Sequence, residues 1–600
     1  MKKILLLVLM AGGSLASAAQ TTDVLDINNV VARINASTIF YQNQALYDAG
    51  FEVPAGNGVH SIYASRLWIG GIDESESLHI AAGTFGPNYG EHDFYPGPLR
   101  IDGTASTDAE TMIAFNRVWK VNNDDVTTHI QYFDAVNNGT VDIEFPNGYT
   151  MPEYFNDWPA HGDVSNGFAF NLAPFIDYNQ DGIYNPENGD APLICGDQAI
   201  YFIVNDNGGP HTETNGASIG VEIHAMAYAF NMPGTAMNNS IFVKFRIIQR
   251  GDVVLNESYV GIWTDLDLGQ PTDDLLGTDV ANSAYFVYND PMDEPGSASP
   301  GYGEFTPRQA VQFLAGPYMD DDNSDNDFPE EVIPFDTDSY GPFAMGFNDG
   351  VADNERLGLT SSMYYNNSSN PIVGEPTTPV HHYNFMKSVW KNNQHLSNGG
   401  NGFLGPGVQS EVQASYMFPG TSNPFHLGTE GGVPNLWTEE TSGNLPGDRR
   451  MVGGSGPFTI QPGVPQELDI AYVYAEETGS GMTEEAWLRN QLQEVKAFFH
   501  SNLEDCLGGD LASGVVTAPA LFQGMFLFPN PANSSLTIKS VSEVLHGSIT
   551  ITDSMGRLIL AQGLETSSVE IDVSHLSEGM YYARWTNNDK SVVLPFVISH

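Results

Sequence analysis

Between residues 20 and 506 the apolar side chains come in short runs, several of which alternate with polar ones. Val221-Glu222-Ile223-His224-Ala225-Met226 is a clear case. A period of two is the sign of a strand with one face against a core. Runs of this kind recur at 61–69, 199–204, 221–230, 240–248, 258–263, 284–288 and 467–474, with long polar loops between them. Gly (62) and Pro (36) supply the punctuation. With 41% hydrophobic residues the chain has enough apolar surface for a large core. Its 600 residues allow several domains, or one very large β unit plus a small one. The expected fold is mainly β: a large multi-sheet β-sandwich-like body with long loops and one amphipathic helix, followed by a small Ig-like β-sandwich.

The helix is predicted over 483–502. Thr483 can cap it, and Glu484 and Glu485 suit the positive end of its dipole. Trp487, Leu488, Leu492, Val495 and Phe499 share one face, which predicts packing on the sheets.

Acidic residues outnumber basic ones 74 to 22, a net charge of −52. Such a field repels phosphate backbones and acidic headgroups, so no nucleic-acid partner is expected, while divalent cations are favoured.

The first 19 residues read as a signal peptide. Lys2 and Lys3 precede a short apolar core at 4–10, and Ala16-Ser17-Ala18 offers a cleavage site. The apolar run is far short of the ~20 residues that cross a bilayer, so no transmembrane anchor is expected. Small residues at 507–525 read as a linker. From 526 to 600 short strand-like runs return at 535–538, 547–552, 558–561, 569–573, 580–585 and 592–598.

Three motifs punctuate this last segment: Phe528-Pro529-Asn530-Pro531-Ala532, then Asp553-Ser554-Met555-Gly556-Arg557, then Leu576-Ser577-Glu578-Gly579-Met580-Tyr581. In order and position they resemble the type A C-terminal sorting domain of the type IX secretion system. Pro529, Asn530, Pro531, Gly556, Gly579 and Tyr581 carry the resemblance. It implies passage by the Sec translocon and then the type IX machinery, ending secreted or on the cell surface. The body, 20–506, resembles a group of large exported proteins that carry the same domain. The shared features include Leu67-Trp68-Ile69-Gly70-Gly71, Asp353-Asn354-Glu355-Arg356-Leu357-Gly358 and Gly447-Asp448-Arg449-Arg450. That resemblance implies location and kinship only. Asp353, Glu355, Asp448, Arg449 and Arg450 are expected as internal ion-pair staples.

The stretch 177–190 follows calcium-loop logic. Asp177, Asn179 and Asp181 stand at loop positions one, three and five, Gly182 permits the sharp turn, and the Ile183 carbonyl adds an oxygen. Position twelve is Asn188, so Glu187 or Asp190 has to complete the set. A second acidic cluster, Asp265, Asp267, Asp273, Asp274 and Asp279, reads equally as a metal site or a solvated loop. Asp320, Asp321, Asp322, Asp325 and Asp327 read as a solvated loop. The expected cofactor is Ca2+. Export permits a disulfide between Cys195 and Cys506; two separate thiols are the alternative.

Catalytic motifs are sparse, and no catalytic residue is assigned. Gly216-Ala217-Ser218-Ile219-Gly220 matches a nucleophile elbow but has the wrong flanks. His211, Glu213, Glu222 and His224 are close enough in sequence to bind a transition metal, but no HExxH helix accompanies them and the expected role is a hydrogen-bonded structural one. Trp158, Trp390 and Trp437 could stack on sugars, although tryptophans in a β protein are more often core. The reading is a calcium-stabilised exported protein with an adhesive or surface-structural role and glycans or proteins as partners. The alternative is a carbohydrate-binding or carbohydrate-active protein on the same scaffold.

Overall fold

The computed structural model describes residues 21–503 except 37, 291, 297–299, 305, 330–338, 409 and 478. It also describes 506–507, and 525–528, 535–540, 545–553, 558–566, 568–576, 579–586 and 591–598. The expected signal peptide and all but the ends of the expected linker lie outside these residues. The chain divides into two units. One holds the described residues up to 175, 184–186 and 191–507; the other holds those of 176–183, 187–190 and 508–600. Each is described by itself.

At 36% strand and 15% helix the fold is mainly β, with several sheets. The larger sheet of the first unit runs Trp119–Asn122, Gln198–Asn205, Val221–Ala229, Ser240–Gln249, Pro465–Ala475, Arg308–Ala315, Ala284–Tyr288, Leu275–Asp279. A five-stranded sheet runs Ser361–Asn366, Arg449–Ile460, Leu255–Asp265, Ala64–Ile72, Leu78–Ala81. Every pairing named here is antiparallel.

Alternation decides what each face meets. Ile223, Ala225 and Ala227, Val243, Phe245 and Ile247, and Ile470 and Tyr472 enter one core with Leu67, Ile69, Val260 and Ile262 of the other sheet. Polar groups span the two sheets as well: the Ser65 and Tyr472 hydroxyls are 2.8 Å apart, and the Tyr285 hydroxyl donates to the Ile262 carbonyl at 3.0 Å. Each fully buried aliphatic or aromatic side chain here contributes roughly 1.5–3 kcal/mol.

The intervening positions carry charge. Register sets His224 opposite Arg246, Lys244 opposite Asp469 and Arg246 opposite Glu467. Lys244 Nζ reaches Glu467 at 2.8 Å and Asp469 at 3.2 Å, and Arg356 reaches Asp469 at 2.9 Å. Lys244, Arg246, Arg356 and Asp469 are all buried, where only paired charges are tolerated.

The helix Glu484–Asn502 forms as the sequence predicts. Thr483 accepts from the Ala486 amide at 3.3 Å, and Leu488, Leu492, Val495 and Phe499 are buried. It packs on Pro465–Ala475 and Arg308–Ala315. Just beyond it Cys506 is bonded to Cys195, with Cα atoms 5.6 Å apart. It is not the only helix. Asn123–Asn138 is a second long one, with Asp124 and Asp125 in its first turn and Gly139 left-handed at its end. It buries only Val126, His129 and Ala135, so it shows little apolar stripe.

In the C-terminal segment three strands, Met525–Phe528, Ser535–Ser540 and Ser568–Asp572, form one sheet. Leu558–Thr566, Leu545–Asp553, Gly579–Thr586 and Ser591–Ile598 form another. Leu536, Ile538 and Ile571 of the first share a core with Ile549, Ile551, Tyr581, Ala583 and Ile598 of the second. Of the sorting-motif residues, Gly579 and Tyr581 fall in a strand; Pro529, Asn530, Pro531 and Gly556 lie outside the described residues.

Candidate functional site: an acidic loop and an acidic cleft

The loop 177–190 lies between two paired short strands, Phe175–Ile176 and Ala191–Pro192. Gly182 has φ +76°, the left-handed turn the motif requires. The Asp177 carboxylate accepts from the amides of Asp181 at 3.2 Å and Gly182 at 2.8 Å. Asp181 accepts from the Ile183 amide and the Asn179 side chain, and Asp190 from the Tyr178 amide at 2.9 Å. These bonds wrap the backbone around the carboxylates. One oxygen each from Asp177, Asp181 and Asp190 lie within 4.8 Å of one another. The third carboxylate is therefore Asp190. Asn188, in the short turn Pro186–Asn188, is exposed and outside this group, as is Glu187.

The second expected cluster divides. Asp265 and Asp267 come together with Asp448, again with one oxygen of each within 4.8 Å. Asp273 and Asp274 both accept from the Asn289 side-chain nitrogen, and Asp279 pairs with Arg489 at 3.1 Å. Strand register explains the first group, since Asp265 stands opposite Arg450, two residues beyond Asp448. Arg450 Nη2 lies 3.1 Å from Asp265, Nη1 contacts Asp448, and Nε is 3.7 Å from Glu375. Burial, with Asp267 alongside, pushes the Asp265 carboxyl far above its ordinary value. Burial also lifts Asp267, to about 7 despite Arg450.

A cavity of about 370 Å3 opens on this group. Asp265, Asp267, Arg450 and Gln42 line it, together with Tyr47, Tyr63, Phe85, Asn88 and Tyr89. The rim is braced: the Tyr63 hydroxyl donates to the Tyr47 carbonyl at 3.0 Å, and the Tyr47 hydroxyl to the Asn88 carbonyl at 3.3 Å. Glu213 holds the neighbouring turn, accepting from the Thr84 amide at 2.6 Å, the Gly86 amide at 2.9 Å and buried Arg66 at 2.6 Å. Nothing in the linear sequence joins residues 42, 85, 265 and 450.

The histidine-containing segment is closed. His211 Nδ1 faces the Ile80 carbonyl at 2.8 Å and Nε2 the Asp206 carbonyl at 2.6 Å, so neither nitrogen is available to a metal. Glu213 is committed to Arg66, while Glu222 binds His224 at 2.8 Å, Arg250 at 2.6 Å and the Leu99 amide at 2.7 Å. Glu222 and His224 share one network, Glu213 is held by Arg66 and His211 by backbone carbonyls, so the four form no common site. Ser218 bonds Asn207 at 2.9 Å in a turn that leads into the strand Val221–Ala229. Trp158, Trp390 and Trp437 are buried, so they are core and not sugar platforms. Among the expected staples, Arg449 pairs with Glu439 and Arg450 with Asp265 and Asp448. Asp353 instead accepts the Asp322 and Asn323 amides at 2.7 and 2.8 Å, which ties down the exposed acidic run.

Among the described residues no helix is long and apolar enough to cross a membrane. No curated protein matches the chain. Among solved structures, a polysaccharide lyase aligns at 8% identity over 63% of this chain and 34% of its own, with a TM-score of 0.17. The chain thus spans about a third of that protein's length. PorZ, a surface component of the type IX secretion system of Porphyromonas gingivalis, aligns at 9% identity over 96% of this chain and 75% of its own, with a TM-score of 0.13. Such low scores carry no structural argument. Residues 526–599 match the family model described as a secretion system C-terminal sorting domain, and the chain is accordingly a cargo of the type IX system, exported to the cell surface or the medium.

Proposed function

We propose that the exported chain works by binding, in adhesion or surface structure, and that calcium at the 177–190 loop stabilises it. The convergence of Asp177, Asp181 and Asp190 around a left-handed Gly182 supports this reading. Three carboxylates so close repel one another, and a divalent cation with six to eight oxygen ligands relieves that repulsion. The Asn179 and Ile183 oxygens and solvent would supply the remaining ligands. Outside the cell, calcium is abundant enough to fill sites as weak as ~10⁻⁴–10⁻³ M. The test compares cells that export the chain with cells that lack it, for retention on glycan-coated and protein-coated surfaces, in calcium and in chelator. Calcium-dependent retention that requires the chain supports the reading; equal retention of both strains overturns it.

The cleft favours a second reading, carbohydrate binding or carbohydrate chemistry. Its volume lies within the usual range for ligand pockets. Its tyrosines offer stacking faces, its carboxylates and Arg450 offer hydroxyl partners, and a carboxyl near 7 suits a general acid. A glycan array probed with the chain and with Tyr89→Ala tests it. Glycan signals that the variant loses support the reading, and an array without signals rejects it.

A further inference from the structure

We propose that Asp265 and Asp267, which line the cleft, form with Asp448 beside them a separate cation site for a hard divalent ion of the calcium class. The inference does not depend on the 177–190 loop. Three carboxylates offer oxygens within 4.8 Å of one another, and Glu375 stands on the far side of Arg450. With all four ionised, the single guanidinium would neutralise only one of the charges. At low local dielectric the remainder repel strongly.

Two further observations point to a ligand. Asp265 is 1% exposed, and its Oδ1 accepts no hydrogen bond. Gln42 is fully buried on the wall of the same cavity; its amide nitrogen faces the Tyr63 hydroxyl, and its amide oxygen has no hydrogen-bond partner. Buried polar groups are normally satisfied, so two orphans on one cavity mark a place where something binds. Every candidate ligand atom is an oxygen, Gln42 offering its amide carbonyl, which suits calcium and not a thiophilic metal. The open side of the cavity leaves room for water, or for a ligand hydroxyl, in the remaining coordination positions. The rival occupant is a proton shared between Asp265 and Asp267.

Terbium luminescence, sensitised by the protein's aromatic residues and competed with calcium, separates the two. The full chain is titrated alongside Asp181→Asn, which disables the loop, and alongside Asp267→Asn and Asp448→Asn. The site predicts that Asp181→Asn keeps a calcium-competed terbium signal. Adding either cleft variant to it weakens that residual binding at least tenfold, and adding Gln42→Leu weakens it several-fold. Because Asp267→Asn relieves repulsion, it is expected to melt no lower than wild type in chelator, which controls for misfolding. An Asp181→Asn chain that binds no terbium, or residual binding that neither cleft variant changes, overturns the proposal and leaves the shared proton. The cleft variants alone keep loop binding, so failure of this site is distinguishable from failure of the loop.

Discussion

Glu222 has no solvent contact, and burial alone would push its carboxyl up. Its bonds from His224 and Arg250 outweigh burial and bring it down from 4.5 to about 2. Glu467 is half-buried, and against the desolvation that raises it Lys244 and Arg356 bring it to about 2. A carboxylate whose folded pKa is lowered stabilises the fold above its unfolded value. That contribution is lost as pH falls from 4.5 towards about 2. Unfolding midpoints are therefore expected to drop through that acid window. Glu222→Gln should cost about 3–5 kcal/mol at neutral pH, because it leaves Arg250 and His224 unpaired, and should flatten the acid dependence. Denaturant titrations at several pH values measure both, and an unaltered slope for the variant contradicts the account. The alternation of Glu222 with His224 was legible as a strand, but their role was not. The sequence shows both within three residues of an apolar core position and says nothing of Arg250 or Leu99 across the sheet. Asp190 was legible as one of two candidates, with Glu187, for the third carboxylate. Spacing alone left the choice open, and the fold brings Asp190 to Asp177 and Asp181 while Glu187 lies in the exposed turn Pro186–Asn188.

Among the elements, the helix Glu484–Asn502 was legible in detail because cap, first-turn acids and a 3.6-residue stripe agree. Thr483→Ala is expected to cost about 1 kcal/mol and Leu492→Ala about 2–5 kcal/mol. Urea unfolding of the two variants checks the ranking, and equal losses would place Leu492 outside the core. The helix Asn123–Asn138 was missed for the opposite reason. It follows directly on the strand Trp119–Asn122, and its buried face is three residues. The signals it does carry, Asp124 and Asp125 at one end and Gly139 at the other, are end signals that gain meaning only when the middle is periodic. The strands were legible as a class, since a period of two survives whatever sheet they join. Their order was not. Pro465–Ala475 sits between Ser240–Gln249 and Arg308–Ala315, so neighbours in the sheet are more than 150 residues apart in the chain.

That long-range order governs the whole molecule. The cleft gathers residues from 42 to 450, which is why one-dimensional reading finds Asp265 and Asp267 but neither Gln42 nor the tyrosines. The Cys195–Cys506 bond spans 311 positions and constrains the unfolded chain by up to about 5 kcal/mol. Reduction without alkylation damage is expected to lower the melting temperature and, on reoxidation, to restore it; an unchanged melting curve would contradict a stabilising bond. The sorting domain was the most legible part, because its motifs recur in fixed order along one short segment. The loop 177–190 ties the account together, since export would deliver the chain to a calcium-rich medium. The most direct test is thermal unfolding of the secreted chain in calcium and in chelator, with metal analysis of the same sample. The account predicts bound calcium and a higher melting temperature in calcium, a gain of about 2.7 kcal/mol at a hundredfold excess over Kd, and predicts that Asp181→Asn loses most of it. Identical melting with and without chelator, and no calcium in the purified protein, would contradict it.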